Sequence, residues 1–326
     1  MRVAFHFLFV SSPSQRLTAG RLFYLTVHQP LGWVERSWRE GGPLNQWITR
    51  RGRRAMIETA RHLPPLPPAA PGSPEVCFLT GRRFWYQTAF CFSSLCHHSA
   101  RSFTPVFIDD GSFDDTLRAE CLRLFPGARI PSRDEISARL EATLPAARFP
   151  TLNAQRRTYI HLRKITDVHA GLSGWRLVLD SDMLFFRRPD ALLDWCDHPV
   201  NPVHMLDVHD AYGYPLETLS TLAGHPIPGK VNVGVCGLRS DTLDWEKIEW
   251  WCARLLALHG SSYYLEQALV ALLLAGREST CLPAADYLLM PDKRECRDPK
   301  AVLHHYVMES KRDYFRHTWK RLLDRP

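Results

Sequence analysis

The sequence predicts an α/β fold with a mostly parallel central sheet, and three observations carry that prediction. From Val76 onward, short apolar runs alternate with longer stretches of helical periodicity, the pattern of strands joined by crossover helices. Hydrophobic residues make up 45% of 326 positions, enough to bury a substantial core. The segment LPPLPPAAPGSP (63–74) sustains no helix and donates little to a sheet, because proline lacks an amide hydrogen and fixes its own backbone angle. It is read as a linker, residues 63–75, between an N-terminal extension, 1–62, and one unit over 76–326.

The extension is rich in tryptophan and arginine, with Trp33, Trp38, Trp47 and the run Arg50, Arg51, Arg53 and Arg54, and a helix is expected over 43–62. It reads as a helical cap on the main unit, or as a basic, tryptophan-anchored surface for peripheral contact with an anionic membrane. No RNA-binding signature accompanies it, so no nucleic acid is expected. Arg2 followed by residues 4–10 faintly resembles a signal peptide, but the apolar stretch is at the short limit and polar residues follow at once, so secretion is not expected. No apolar run approaches the roughly 20 residues that span a bilayer.

A formal charge of +7 fits an anionic partner without choosing among a diphosphate, an acidic lipid and a nucleic acid. The nine cysteines form no CxxC pair, which disfavours a zinc site and a disulfide framework and fits a reducing cytoplasm. Cys236 and Cys252 sit in apolar runs and read as small buried side chains.

In the main unit, VCFLT (76–80) reads as the first strand, 85–97 as a helix and TPVFI (104–108) as the second strand. Asp114 caps a helix that Pro126 and Gly127 stop. One long helix is expected over 152–169, then strands at 175–179, 203–206, 231–238 and 302–305, and helices at 243–258, 266–274 and 313–323. In open α/β sheets ligands bind beyond the carboxyl ends of strands, so residues just after these runs are the candidates for chemistry.

The strongest local signal is WRLVLDSDMLFFRRPDAL, in which a buried strand delivers Asp180, Ser181 and Asp182 to its exposed end. Like charges that close are costly to ionise together, and a divalent cation relieves the repulsion. Taken alone, an Asp-x-Asp is also what a strand end uses to cap the next turn. The segment as a whole, with Pro189 starting a helix, resembles the DxD element of GT-A glycosyltransferases, closest to the glycogenin and lipopolysaccharide galactosyltransferase family. That resemblance implies a Rossmann-like nucleotide-diphospho-sugar transferase fold, a nucleoside diphosphate sugar donor such as a UDP-sugar, and Mn2+ or Mg2+ held by Asp180 and Asp182.

Three further segments stand in the order that family requires. KVNVGVCGLRSDTLDW is similar to its Asn-x-Gly strand, with Asn232 placed to bond sugar hydroxyls and Gly234 to admit the ligand closely. Glu266 and Gln267 open a helix where the family has Asp-Gln, although Ala268 replaces a further aspartate; with Asn232 they are the candidate catalytic residues. LHHYVMESKRDYF sets His305 and Lys311 at the spacing of the family's His-x-x-Gly-x-x-Lys, so that His305 completes the metal shell and Lys311 meets the phosphates. Met308 stands in place of the glycine and Arg312 in place of the usual proline, and His304 is an alternative ligand.

Upstream, Thr80 and Gly81 match the first nucleotide-contacting strand. Asp109 and Asp110 begin an Asp-Asp-Gly-Ser that resembles an inverting GT-A group, or forms an Asx turn, whereas the glycogenin-like resemblance implies retention. Lys164, with Tyr159 and Arg163, lies on the helix before the DxD strand, where His161 stands at the family's arginine; Lys164, Ser181, Gly234 and Lys311 complete the expected nucleotide-sugar contacts. The expected function is metal-dependent transfer of a sugar to an acceptor hydroxyl. The rivals are an inactive nucleotide-sugar or acidic-polymer binder, and a haloacid-dehalogenase-type phosphatase with Asp180 as nucleophile, whose later acidic Mg2+ motif is not found.

Overall fold

A computed structural model describes residues 42–323. The chain separates into two units, residues 1–51 and 52–326; Trp33, Trp38 and the apolar start over 4–10 lie outside the described residues. In the first unit, residues 42–51 open helix α1 (Gly42–Arg61), and the Arg51 guanidinium lies 5.6 Å from the centroid of the Trp47 ring, a cation–π contact. In the second unit, the rest of α1 buries Met56 and Ala60 in the main core, and Arg53 donates to the Tyr86 hydroxyl at 2.7 Å. The proline-rich stretch has no regular structure; Leu63 and Leu66 pack on the core, and the Leu66 amide donates to the Leu124 carbonyl at 2.9 Å. Among the described residues, no helix is long and apolar enough to cross a membrane.

The first half of the unit runs β1 (Glu75–Thr80), α2 (Trp85–Ser99), β2 (Thr104–Asp109), α3 (Asp115–Leu124), α4 (Arg133–Thr143), α5 (Pro150–Thr158) and α6 (Arg163–His169). The second half runs β3 (Trp175–Leu179), β4 (Met183–Phe185), α7 (Asp190–Asp197), β5 (Val203–Leu206), α8 (Leu216–Ala223), β6 (Val231–Arg239), α9 (Trp245–His259), α10 (Leu265–Leu274), β7 (Thr280–Cys281), β8 (Tyr287–Leu289), α11 (Lys293–Arg297), β9 (Leu303–His305) and α12 (Ser310–Arg316).

The central sheet has six strands in the order β2-β1-β3-β6-β5-β7. β1 is parallel to β2 and β3, and β5 to β7, while β6 runs antiparallel to β3 and β5. The sheet is mostly parallel, as expected, with β6 reversed inside it. A second sheet of three short strands, β4-β9-β8, stands beside it, with β4 antiparallel and β8 parallel to β9. Aromatic residues dominate one core, where Phe78, Phe92, Phe107 and Phe125 meet mostly edge to face. A second core is mainly aliphatic and centres on α10, whose sequence LEQALVALLL is buried on every side, as a helix apolar all round must be, and a small third cluster joins Cys77, Val106, Ile108, Val168 and Val178.

Strands and caps follow the local chemistry. Asp114 caps α3 by accepting from the Leu117 amide at 2.8 Å, and Gly224 ends α8 in the left-handed conformation. The helix expected over 152–169 is instead α5, a 3-10 turn (Ile160–Leu162) and α6. The break lets Arg156 clasp the buried Asp167 through two bonds of 2.5 and 2.6 Å, which residues that far apart along one straight helix cannot make. The expected C-terminal helix is likewise divided, into α12 and a 3-10 turn (Thr318–Leu322).

Candidate active site and metal centre

Strand β3 ends at Leu179, and its antiparallel partner β6 takes over the chain's direction: the Asp180 amide donates to the Gly234 carbonyl at 2.8 Å. The bond extends the β3–β6 ladder one residue beyond the Leu179–Val235 pair, and on its other edge β6 bulges. The β5–β6 register jumps between His204, opposite Cys236, and Met205, opposite Asn232, so residues 233–235 of β6 have no partner in β5. Bulges of this kind commonly re-aim a strand beside a functional site. After Asp182 the chain enters β4, where Met183 pairs with His305 of β9, and the Tyr306 amide donates to the Asp182 carbonyl at 2.8 Å. Two segments remote in sequence are thus laced together at the residues that matter.

The result is a cluster in which ligand atoms of Asp180, Asp182 and His305 lie within 4.8 Å of one another. His305 Nε2 stands 3.6 Å from Asp180 Oδ2 and 3.3 Å from Asp182 Oδ1. Six-coordinate Mg2+ or Mn2+ brings neighbouring ligand atoms to about 3 Å, so the three groups fit such an ion after a small contraction, and carboxylate with imidazole suits it chemically. His304, the alternative ligand, faces away, bonded to Glu295 Oε1 at 2.9 Å and to the Tyr306 hydroxyl at 2.8 Å.

Gly234 is explained by this cluster, since a Cβ there would lie 2.5 Å from His305 Cε1 and Nδ1. His305 Nδ1 is buried and, among the described residues, has no hydrogen-bond partner.

Two lysines brace the carboxylates. Lys164 Nζ lies 2.5 Å from Asp180 Oδ1 and 3.2 Å from Glu266 Oε2, and Lys311 Nζ lies 2.9 Å from Asp182 Oδ2. Burial opposes charge on Lys164, but Asp180 and then Glu266 outweigh it and raise its pKa. Burial would likewise raise the Asp182 carboxyl, yet Lys311 and His305 hold it below the usual range, while Asp182 raises Lys311. Glu266 shares its lysine with the closer Asp180, so burial prevails and lifts its carboxyl to about 7. Lys164 reaches this position from the first residues of α6, directly after the helix break.

On the other side of Gly234 lies an amide network. Asn232 Oδ1 accepts from the Gly234 amide at 2.9 Å, and Asn232 Nδ2 donates to Asp207 Oδ2 at 3.0 Å. Gln267 Nε2 donates to the same oxygen at 3.2 Å and to the Ala211 carbonyl at 2.9 Å. Asp207 thus joins two candidate catalytic residues, and the sequence reading missed it. It is the first residue after β5, where the strand-end rule would have pointed. Tyr159, His161 and Tyr263 form a further aromatic row, with successive ring centroids 5.5 Å apart. Burial and the nearby Lys164 lower His161 to about 4, leaving a neutral imidazole.

The upstream candidates are engaged in local structure. Thr80 and Ser181 both bond the Thr88 hydroxyl of α2, at 2.7 and 2.8 Å, tying the end of β1 to the loop carrying the aspartates. Asp109 Oδ1 accepts from the Gly111 and Phe113 amides, and Oδ2 from Arg133 Nε at 2.9 Å. Asp110 Oδ1 accepts from the Ser112 amide and hydroxyl, and a side chain at Gly81 would collide with that carboxylate. The Asp-Asp-Gly-Ser segment is therefore a pair of nested Asx turns. Arg163 NH1 donates to the Asp109 carbonyl at 2.6 Å.

No protein-family model and no curated protein sequence matches the chain. Solved structures do match. The galactosyltransferase LgtC, crystallised with donor and acceptor sugar analogs, superimposes with a TM-score of 0.50 at 14% identity, covering 77% of this chain and 94% of LgtC. Mouse xyloside xylosyltransferase 1 in its apo form gives a TM-score of 0.47 at 10% identity, over 73% of this chain and 98% of the mouse chain. GlyE of Streptococcus pneumoniae, also apo, gives 0.43 at 13% identity over 77% and 62%. With LgtC as the match, the mixed sheet and the crossover helices identify the architecture of this chain as the GT-A fold of nucleotide-sugar glycosyltransferases.

Proposed function

We propose that the protein transfers a glycosyl group from a nucleoside diphosphate sugar, of the UDP-sugar class, to an acceptor hydroxyl, with a divalent cation at Asp180, Asp182 and His305. One observation carries the reading: the three ligating groups converge at the carboxyl end of β3 in a fold of this class. When bound, Mn2+ or Mg2+ would act as a Lewis acid for the charge that builds on the departing diphosphate.

The chain's own groups divide the remaining work. Lys311, partly exposed beside Asp182, presents its ammonium where diphosphate oxygens arrive. Asn232 and Gln267, oriented by their shared bond to Asp207, offer amides to sugar hydroxyls. Glu266, buried beside Lys164, is positioned by that ammonium beneath the reacting sugar. Thr80, Gly81, Asp109, Asp110 and Ser181 shape the nucleotide side through the turns and hydroxyl chain described above. The phosphatase reading is not favoured, because the fold matches that of the galactosyltransferase LgtC and the sequence has no later acidic Mg2+ motif. Nine free thiols support a cytoplasmic location.

The test is a thermal-shift and turnover series with UDP, GDP and their sugars, each with and without Mn2+. A ligand at a hundredfold excess over Kd stabilises the native state by about 2.7 kcal/mol, a shift of several degrees. Stabilisation by UDP and Mn2+ together, with slow release of UDP from a UDP-sugar, both lost in Asp182→Asn without loss of fold, is the expected result. Binding without turnover across the donors would make the protein an inactive binder, and no shift with any nucleotide and metal would sink the proposal.

A further inference from the structure

We infer that Arg53 is a positioning residue for Lys311: from α1, ahead of the central sheet, it fastens the helix that carries the lysine, so that donor affinity depends on the N-terminal helix. The inference rests on the reading of Lys311 as a diphosphate contact given above. Lys311 stands in the first turn of α12, a helix of seven residues, and helices that short do not hold their place without tertiary contacts. What α12 packs against therefore decides where the ammonium meets the phosphates.

The part of α1 from Gly52 onward supplies such a contact. A Cβ at Gly52 would collide with the Phe315 carbonyl, so the two helix backbones touch there, an approach that glycine permits. Phe315 lies one turn after Lys311 and shares its face of α12. The Arg53 guanidinium lies 5.7 Å from the Phe315 ring centroid and 5.8 Å from that of Tyr86, attractions of the cation–π kind. Arg53 Nε also donates to the Tyr86 hydroxyl at 2.7 Å. Tyr86 is buried in the first turn of α2, and two residues on, Thr88 bonds the Ser181 hydroxyl between the aspartates. Arg53 thus ties the helix bearing Lys311 to the helix that holds the aspartate loop. Burial raises the pKa of the Tyr86 hydroxyl, opposed by Arg53 and more weakly by Lys311, so both cations act on that one oxygen. Two other anchors make the role separable from folding. Met56 and Ala60, fully buried, dock α1 without Arg53, and Tyr314, stacked on Tyr306 at 4.6 Å, holds α12 in the core.

UDP is titrated calorimetrically, in saturating Mn2+, into wild type, Lys311→Met, and Arg53→Met and Tyr86→Phe each alone and combined with Lys311→Met; Mn2+ alone is titrated into wild type and Arg53→Met. Lys311→Met should raise the Kd for UDP by about tenfold, the loss of a charge-assisted hydrogen bond. Arg53→Met should raise it by about fivefold when alone and by nothing further in Lys311→Met, the non-additivity of residues that act through one another. Tyr86→Phe, which removes only the oxygen, should follow the same pattern more weakly, and Mn2+ affinity should be the same in Arg53→Met as in wild type. A Kd for UDP unchanged in Arg53→Met, or raised equally in both backgrounds, overturns the inference and leaves Lys311 in its role. A matching fall in Mn2+ affinity would put the effect at the metal and overturns it too. Should Arg53→Met fail to fold, Tyr86→Phe decides on the same terms. Failure of Lys311→Met to weaken UDP, or of the wild type to bind it, overturns the phosphate-contact reading and this inference with it.

Discussion

A single missing methyl group at residue 234 gives His305 its place. Because a Cβ there would press on the imidazole at 2.5 Å, Gly234→Ala should displace the ring from the aspartates. Mn2+ affinity measured by titration should fall by about 10- to 100-fold, as for other disturbances of a ligand's support, with the melting temperature changed far less. Close approach at Gly234 was legible, as room for the bound sugar; in the structure the His305 imidazole stands against it. Asp180, Asp182 and His305 were legible because carboxylates after an apolar strand and a distant histidine stood in a recognisable order. Asp207 was not, since its meaning lies in bonds to Asn232 and Gln267 that only the folded chain creates. At Gly81 the residue type reflects the neighbouring Asp110 carboxylate, a contact equally invisible in one dimension.

Among the elements, α5 shows how tertiary contacts override local pattern. Glu249 of α9 accepts from the Thr151 and Leu152 amides at 2.8 Å each, so a buried carboxylate caps the start of α5, where the helix dipole favours negative charge. Glu249→Ala should leave both amides unpaired and cost about 1–3 kcal/mol, read as a lower midpoint in urea. Apolar periodicity across 152–169 concealed the break after α5, because Arg156–Asp167 pairing and the hydrogen bond of 2.6 Å from the Tyr159 hydroxyl to the Tyr263 carbonyl are non-local. Strands β1, β3 and β5 were visible within a residue as apolar runs bounded by polar ones. The short β7 and β8 and the helix α4 carried no comparable signal; α4 buries only Ile136 and Leu140.

At the scale of the whole molecule, stability should depend on pH through buried imidazoles. Burial, with Arg176 second, lowers His169 from 6.5 to about 3, and the ring is held by Ser240 at 2.9 Å. Its folded value lies below its unfolded one, so the unfolded chain binds the extra proton between them. The stability is complete above 6.5 and is lost as pH falls toward 3, by about 2 kcal/mol at roughly pH 5. His169→Asn should flatten that part of the profile in urea titrations at neutral pH and about pH 5, relative to wild type. The alternation of strands and helices was enough to read the α/β class and most of the central sheet. The reversal of β6 and the separate three-stranded sheet were not readable, because strand direction and sheet membership depend on partners far away in the chain.

The pairing of Met183 with His305 would also give a bound ion a mechanical role. A cation shared by the aspartates and the histidine would staple the middle of the chain to its far end, closing a long loop that costs entropy to form. No partly assembled chain could hold it until β9 had docked. Saturating Mn2+ should therefore slow unfolding in stopped-flow denaturant jumps, and an unfolding rate indifferent to Mn2+ would place the peeling away of β9 after the rate-limiting step.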